Sequence, residues 1–325
     1  MPDPDHPDPA GRARLAVLMA TYQAGDRLGA QLDSIAAQTR PPEMILASDD
    51  GSSDGTPVRL RDWAARHPAI EVRRFEGPRR GAAANFLSLI ARAPDTVERL
   101  SLADQDDVWL PGKLDRAGTW LDGADARAPD RPALYCARVW ICDDALRGRT
   151  PTGLPARPLS FRNALTQNVA CGNTIVLNRA ASDLARGGAR ALEAEGALPV
   201  LHDWWLYQLV TGAGGAVFFD PEPQVLYRQH GGNVIGANTG ARAKLARIAR
   251  VLDGTYGRWN AANLAALEAT AALLTPENRA LAEGFARARR AGFAERMALL
   301  RRLGLYRQGR GGQASLWAAA LLGRL

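Results

Sequence analysis

Three cysteines in 325 residues, Cys136, Cys142 and Cys171, form no CxxC pair and are odd in number. That scarcity excludes a disulfide framework and a structural zinc centre, and it fits a reducing compartment. No uninterrupted apolar run reaches about 18 residues, so no membrane-spanning helix is expected. The start, MPDPDHPDPAGRAR, lacks the cationic and then apolar order of a signal peptide; rich in Pro and Asp, residues 1–13 read as a disordered leader. No strand–GxGxxG–helix unit occurs, which argues against a nicotinamide enzyme, and no internal repeat is found.

What is present is globular. Hydrophobic residues make up 46% of the chain, and at roughly 150 residues per domain the length suits one large domain with an appendage, or two domains. The net charge of +7 is unevenly placed: residues 237–325 hold 15 Lys and Arg against 5 Asp and Glu, which leaves residues 1–236 at −3. The basic character belongs to the tail, and nothing points to nucleic acid.

Between residues 15 and 104 strand and helix signals alternate. RLAVLMAT, EMILAS, AIEVRRF and VERLSLA read as strands; DRLGAQLDSIAAQ, DGTPVRLRDWAARH and GAAANFLSLIARA read as helices. That alternation predicts an α/β fold with a mainly parallel sheet covered by helices on both faces, in which ligands bind beyond the carboxyl ends of the strands. Three polar motifs fall there: Thr21 and Tyr22 after the first strand, SDDGSSDGT after the second and ADQDD after the fourth. Beyond Pro111 the pattern is mixed, with ALYCARVWIC, GNTIVLN, AVFFD and QVLYRQ as strands and HDWWLYQLV as a short helix. After Gly240 helical segments run to the end, broken near Gly254, Pro276 and Gly309 to Gly312.

ADQDD crowds three carboxylates at one strand end. A plain structural explanation makes Asp107 a helix N-cap, with Pro111 in the first turn and Lys113 outward; it leaves Asp104 and Asp106 without a reason. A D-x-D pair suits magnesium or manganese, hard cations that take one or two protein oxygens when phosphates supply the rest. In SDDGSSDGT a carboxylate at the strand end can accept the imino hydrogen of a pyrimidine, although turn and cap chemistry would also explain the motif. HDWW places Asp203 at a helix N-terminus, whose positive end favours the ionised form that a general base requires. Trp109, Trp204 and Trp205 are candidate walls for a sugar ring, or else core. His230, in a glycine-bordered loop, is a candidate metal ligand.

MATYQAGDRLGAQLDSIAAQT, SDDGSSDGT, ADQDDVWLPGKL, CGNT, HDWW and YRQHGGN, in this order, resemble the family 2 glycosyltransferases of GT-A fold, in particular the rhamnosyltransferase-like subgroup. The resemblance covers about residues 14–236. It implies a nucleotide-sugar half over residues 14–107 merged with a mixed acceptor half over residues 108–236; the basic helical region over residues 237–325 lies beyond it and is read from charge and helical spacing alone. The resemblance implies that Thr21 and Asp49 or Asp50 contact the nucleotide base region, joined by Tyr22. Asp104 and Asp106 become the D-x-D pair, with Asp106 the metal ligand and Asp104 shared between metal and nucleotide. Asp203 becomes the catalytic base, and His230 a C-terminal metal or phosphate contact. Gly81 and Asn85, which sit where relatives carry an NxG-type stretch with Arg80 in the place of the Asn, become further nucleotide-sugar contacts. The QxxRW pattern of processive members is absent, which implies transfer of one sugar per encounter.

The expectation is therefore an inverting glycosyltransferase that uses a divalent metal, magnesium or manganese, and a dTDP- or UDP-sugar, with rhamnose a candidate. Its acceptor would be a glycan or a lipid-linked glycan in cell-surface polysaccharide synthesis. The enzyme would be cytoplasmic, and its tail, with Leu245, Ile248 and Leu252, then Phe293, Met297, Leu300 and Leu303, and arginines beside them, reads either as a helical appendage packed on the core with a solvated basic face or as a peripheral membrane contact. Two rivals are weighed. DQDDV fits the D-x-D-x-V of haloacid-dehalogenase-like phosphohydrolases, but it follows the fourth strand rather than the first. A catalytically silent glycan-binding or membrane-docking module would not need Asp203 or the D-x-D pair.

Overall fold

A computed structural model describes residues 13–229 and 254–325. His230 and the tail residues Leu245, Ile248 and Leu252 lie outside the described residues, as does nearly all of the proposed leader. Four strands alternate with three helices at the start: β1 (Leu15–Thr21), α1 (Arg27–Ala36), β2 (Met44–Asp49), α2 (Thr56–Arg66), β3 (Glu71–Glu76), α3 (Ala82–Arg92) and β4 (Arg99–Ala103). β1, β2, β3 and β4 pair in parallel in the order β3-β2-β1-β4. β1 alternates strictly between two cores. Ala16 and Leu18 face a cluster that contains α3, and Leu15, Val17 and Met19 face the cluster of α1 and α2. A strand buried on both faces needs this continuous apolar run, which is why RLAVLMAT is legible as the sheet centre. β3 closes the edge with exposed Glu71, Arg73 and Arg74, charges that discourage further pairing.

The second half is mixed in direction. It holds β5 (Val108–Trp109), α4 (Lys113–Arg127), β6 (Ala133–Cys142), β7 (Thr150–Pro151), α5 (Phe161–Ala164), β8 (Val176–Leu177), α6 (Arg179–Ala194), α7 (His202–Gly212) and β9 (Ala216–Arg228). Among the described residues the nine strands run β3-β2-β1-β4-β8-β6-β9-β5, with β7 on β6. β8 is antiparallel to β4 and β6, and β9 is parallel to β6. Of GNTIVLN only Val176 and Leu177 are strand, because Gly172–Thr174 turns as a 3-10 helix. AVFFD and QVLYRQ are one strand. Its pairing with β6 jumps from Ala137↔Asp220 to Val139↔Val225, and the bulged segment between holds Pro221 and Pro223, which cannot donate to a ladder.

α6, with its Gly187-Gly188 pair, has no forecast in the sequence. The pair reads as a breaker, yet a side chain at Gly188 would place its Cβ 2.8 Å from the Trp205 ring. Glycine here is what lets α6 approach α7, and that close packing outweighs its helix penalty of about 1 kcal/mol.

The glycine and proline breaks of the tail become helix starts: α8 (Thr255–Ala269) after Gly254, α9 (Pro276–Arg290) capped by Thr275, α10 (Phe293–Leu303) and α11 (Arg310–Leu321) after Gly309. They enclose a third core that joins Phe161 and Leu165 to Phe285, Leu300, Leu303 and Leu316. Leu300 and Leu303, expected on a membrane-facing stripe, are buried there because α10 packs on α9, while Phe293 stays exposed. No helix of the described residues is long and apolar enough to cross a membrane.

Candidate active site

The parallel strands end together, and register brings Thr21 opposite Asp49. Thr21 is buried and donates its hydroxyl to Asp49 at 3.0 Å, so it positions a carboxylate rather than facing an open cleft. Asp49 also gathers the Gly51 and Ser52 N–H groups and the Ser52 hydroxyl. Asp50 is a clasp: its oxygens accept the Arg79 N–H at 2.6 Å and the Gly81 N–H at 2.8 Å, and it is 8% exposed. Of the two, Asp49 is the half-exposed one. Gly81 stays on the exposed rim with φ of 85°, but Asn85 is buried and donates to the Ser48 carbonyl. The expected ligand contact from Asn85 is therefore corrected, since α3 turns its side chain into the sheet.

The crowded acidic segment divides its labour. Gln105 exchanges two bonds with the Tyr22 backbone, at 2.8 and 2.9 Å, which ties this loop to the one after β1 and holds the exposed Tyr22 ring on the rim. Asp107 is fully buried; it accepts from the Asn173 amide and from the Arg228 N–H, so it fastens the 3-10 turn and the end of β9 beneath the cleft. It caps nothing: α4 begins six residues later, at Lys113. Nor does Lys113 point outward. It is fully buried, with its ammonium 3.1 Å from the Ser101 hydroxyl and 3.5 Å above the Trp109 ring, and burial holds its pKa well below the ordinary lysine value. Asp104 and Asp106 remain, both half-buried.

The wall opposite is built by α7. Asp203 sits in its first turn, as expected, and accepts the Trp204 N–H at 2.6 Å and the Gly172 N–H at 3.2 Å. The helix end does not decide its ionisation. Burial raises the carboxyl to about 6 against the opposing pull of those N–H groups and of Asn168. A side chain at Gly172 would crowd this point, because a Cβ would stand 3.0 Å from His202 Nε2 and 3.3 Å from Asp203 Cβ. His202 is buried and stacked on Phe86 at 3.9 Å, and burial lowers its pKa to about 3, so it is neutral.

Trp109, Trp204 and Trp205 are 2, 3 and 0% exposed. The sugar-wall assignment of all three is corrected. Trp204 donates to the Ala164 carbonyl and meets Trp259 edge-on, and Trp205 lies under α6, so the indoles serve the core that holds α7 in place.

Asp104 feels the charges of both Asp106 and Asp203. Asp104 is raised to about 7, first by burial and then by the charges of Asp106 and Asp203. Three like charges drawn together call for a cation. Among the described residues no three His, Cys, Asp or Glu side chains form a ready metal cage. Two carboxylates fit a hard divalent ion whose other ligands are phosphate oxygens.

The model of glycosyl transferase family 2 matches residues 16–129, the segment from β1 through α4. Residues 16–129 therefore form a domain of the family 2 glycosyl transferase type. The fold is GT-A: the structure aligns over 90% of this chain and 93% of Staphylococcus aureus TarS 1-349 in complex with UDP-GlcNAc, with a TM-score of 0.50 at 13% identity. The chain is 27% identical over 251 residues to the dTDP-rhamnosyl transferase RfbG of Shigella flexneri, covering 73% of this chain and 80% of that one. It is 28% identical over 221 residues to an uncharacterized protein of Mycobacterium tuberculosis, covering 66% of this chain and 59% of that relative's length. A haloacid-dehalogenase arrangement does not agree with this family match or with an acidic motif that follows β4 rather than β1.

Sequence reasoning overlooked Gln105, Asn173 and the Gly172 N–H. Each acts through a contact between segments far apart in the chain. Two signals were available: ADQDD holds more polar groups than a D-x-D pair uses, and CGNT, which contains Gly172 and Asn173, stood among the ordered motifs without an assigned role.

Proposed function

We propose that this glycosyltransferase is an inverting enzyme that moves one sugar, with rhamnose the first candidate, from a nucleoside-diphosphate sugar to a hydroxyl of a glycan or lipid-linked acceptor. The observation that carries the proposal is Asp203: a carboxyl raised to about 6 by burial, fixed by two backbone N–H groups and close enough to the D-x-D segment that Asp104 feels its charge. A base whose pKa lies just below neutrality is mostly ionised at pH 7 and still basic enough to take a proton.

In the proposed step Asp203 takes the proton of the acceptor hydroxyl. The acceptor oxygen forms a bond to the anomeric carbon from the side opposite the diphosphate, and the bond to the diphosphate oxygen breaks with its electron pair. One displacement inverts the anomeric centre. Asp104 and Asp106 would hold magnesium or manganese, which supplies charge neutralisation to the departing diphosphate when bound. Asp49, squared by Thr21 and Ser52, would meet the base, with Tyr22 beside it on the rim. The dTDP-rhamnosyl transferase similarity at 27% identity supports a dTDP-sugar donor.

The test is a panel of dTDP- and UDP-sugars, each titrated with and without Mn2+ while thermal stability is recorded. A bound donor at 100 times its Kd adds about 2.7 kcal/mol. A metal-dependent shift with dTDP-rhamnose above the other sugars supports the proposal; no shift with any nucleotide sugar overturns it.

A further inference from the structure

Beside the D-x-D end lies a cavity of about 400 Å3 that the chemistry above does not use, lined by Asp26, Arg27, Ala30, Asp144 and Arg228. Arg27 opens α1, Arg228 ends β9 and Asp144 lies in the turn after β6, so residues from distant parts of the chain meet here. The cavity borders the acidic motif on two sides. Asp106 is among the charges felt by Arg27, and the Arg228 N–H is bonded to Asp107.

Its charges are arranged in an unusual order. Arg27 grips both oxygens of Asp144, at 2.7 and 3.1 Å, and the Arg228 guanidinium donates to the Asp144 carbonyl. The other acid, Asp26, is matched by Arg59 at 2.9 Å. Arg149, farther along the same turn, joins Arg228 in lowering the Cys142 thiol against burial, so a third cation stands close by. Among the described residues Ala30 is the one apolar lining residue, and the other four are charged. The Arg27 and Asp144 side chains are 36 and 59% exposed, and an ion pair that open is weakly held against water and salt. A phosphate group carries more charge than a carboxylate and offers two parallel acceptors to each guanidinium.

We propose that Arg27 and Arg228 form an anion subsite for the acceptor, binding a phosphate or diphosphate group on it, with Asp144 holding Arg27 in position until the anion takes its place. This assignment rests on the glycosyltransferase reading and narrows its acceptor to a phosphorylated one. Two sources share that chemistry: the diphosphate that joins a glycan to a lipid carrier, and a phosphodiester within a glycan.

The test uses the full chain in EDTA, titrated calorimetrically with inorganic pyrophosphate. Asp144→Asn removes the competing carboxylate and should tighten binding severalfold. Arg27→Gln should weaken it by about tenfold, the loss of one charge-assisted contact. Opposite signs are the signature of the subsite; a loss in both variants marks a structural ion pair and overturns it. Nucleoside diphosphate with Mn2+ is titrated in parallel. An equal loss there in Arg27→Gln assigns the residue to the donor and overturns the acceptor subsite, while leaving the glycosyltransferase reading intact. Farnesyl diphosphate competing with pyrophosphate identifies a lipid carrier, and glycerophosphoglycerol competing identifies a phosphodiester glycan. Competition by neither overturns the assignment.

Discussion

Acid should switch the enzyme off through Asp203. Burial raises this carboxyl to about 6, and the form that accepts a proton is the ionised one. Activity is therefore complete above that value and lost as pH falls through it. At pH 5 about one-tenth of the plateau turnover should remain, and the logarithm of kcat should fall by one per pH unit below that. The cation must be saturating in this assay, because Asp104, raised to about 7 by burial and by Asp106 and Asp203, would otherwise add an acid limb of its own. Asp203→Asn removes the base and nearly preserves shape. Its carbonyl oxygen can still accept the Trp204 N–H, while its amide would face the Gly172 N–H and lose one bond, at about 1 kcal/mol of stability. Turnover should drop by about 10²- to 10⁴-fold, the residual rate should no longer depend on pH between 5 and 7, and nucleotide-sugar affinity should stay near wild type. Sugar transfer followed by nucleoside-diphosphate release measures all three. If Asp203→Asn keeps more than a tenth of the wild-type rate, or keeps the acid limb, the base is another group.

Three further outcomes follow from the same contacts. The raised carboxyls bind more protons in the fold than in the unfolded chain between about pH 4 and 7, so metal-free stability falls as pH rises through that window; Mn2+ should then raise the Tm more at pH 8 than at pH 5, and equal shifts would count against the D-x-D site. Lys113→Met keeps the chain length while removing a charge that burial disfavours, so urea unfolding should show no loss, whereas Lys113→Ala should lose about 2–4 kcal/mol through the cavity it opens; a comparable loss in Lys113→Met would mean that the ammonium itself stabilises the fold. Gly188→Val forces a Cβ against the Trp205 ring and should cost about 1–3 kcal/mol in the same assay, and a neutral result would show that α6 can move aside.

Much of the fold was legible because its first half is local. A strand buried on both faces must be continuously apolar, and a crossover helix must show its 3.6-residue stripe. RLAVLMAT and DRLGAQLDSIAAQ state both without help from the rest of the chain. Asp203 could be placed at a helix start, and Asp104 and Asp106 at a strand end, by the same local logic. What the local pattern cannot contain is which neighbour a side chain meets. Trp109, Trp204 and Trp205 carry the same indole whether they line a cleft or fill a core, and only packing under Lys113, α5 and α6 put them inside. Lys113 looked outward because a charge normally is, yet the sheet closed over it. Thr21, Asp50 and Asn85 became fasteners because their partners, Asp49, the Arg79 and Gly81 N–H groups and the Ser48 carbonyl, arrive from other strands and loops. By itself the sequence determined the periodicities, the chain's charge balance and the residue types at the strand ends. Burial, and with it the ionisation of Asp104 and Asp203, was decided by tertiary structure alone, since desolvation depends on atoms brought near from distant positions in the chain.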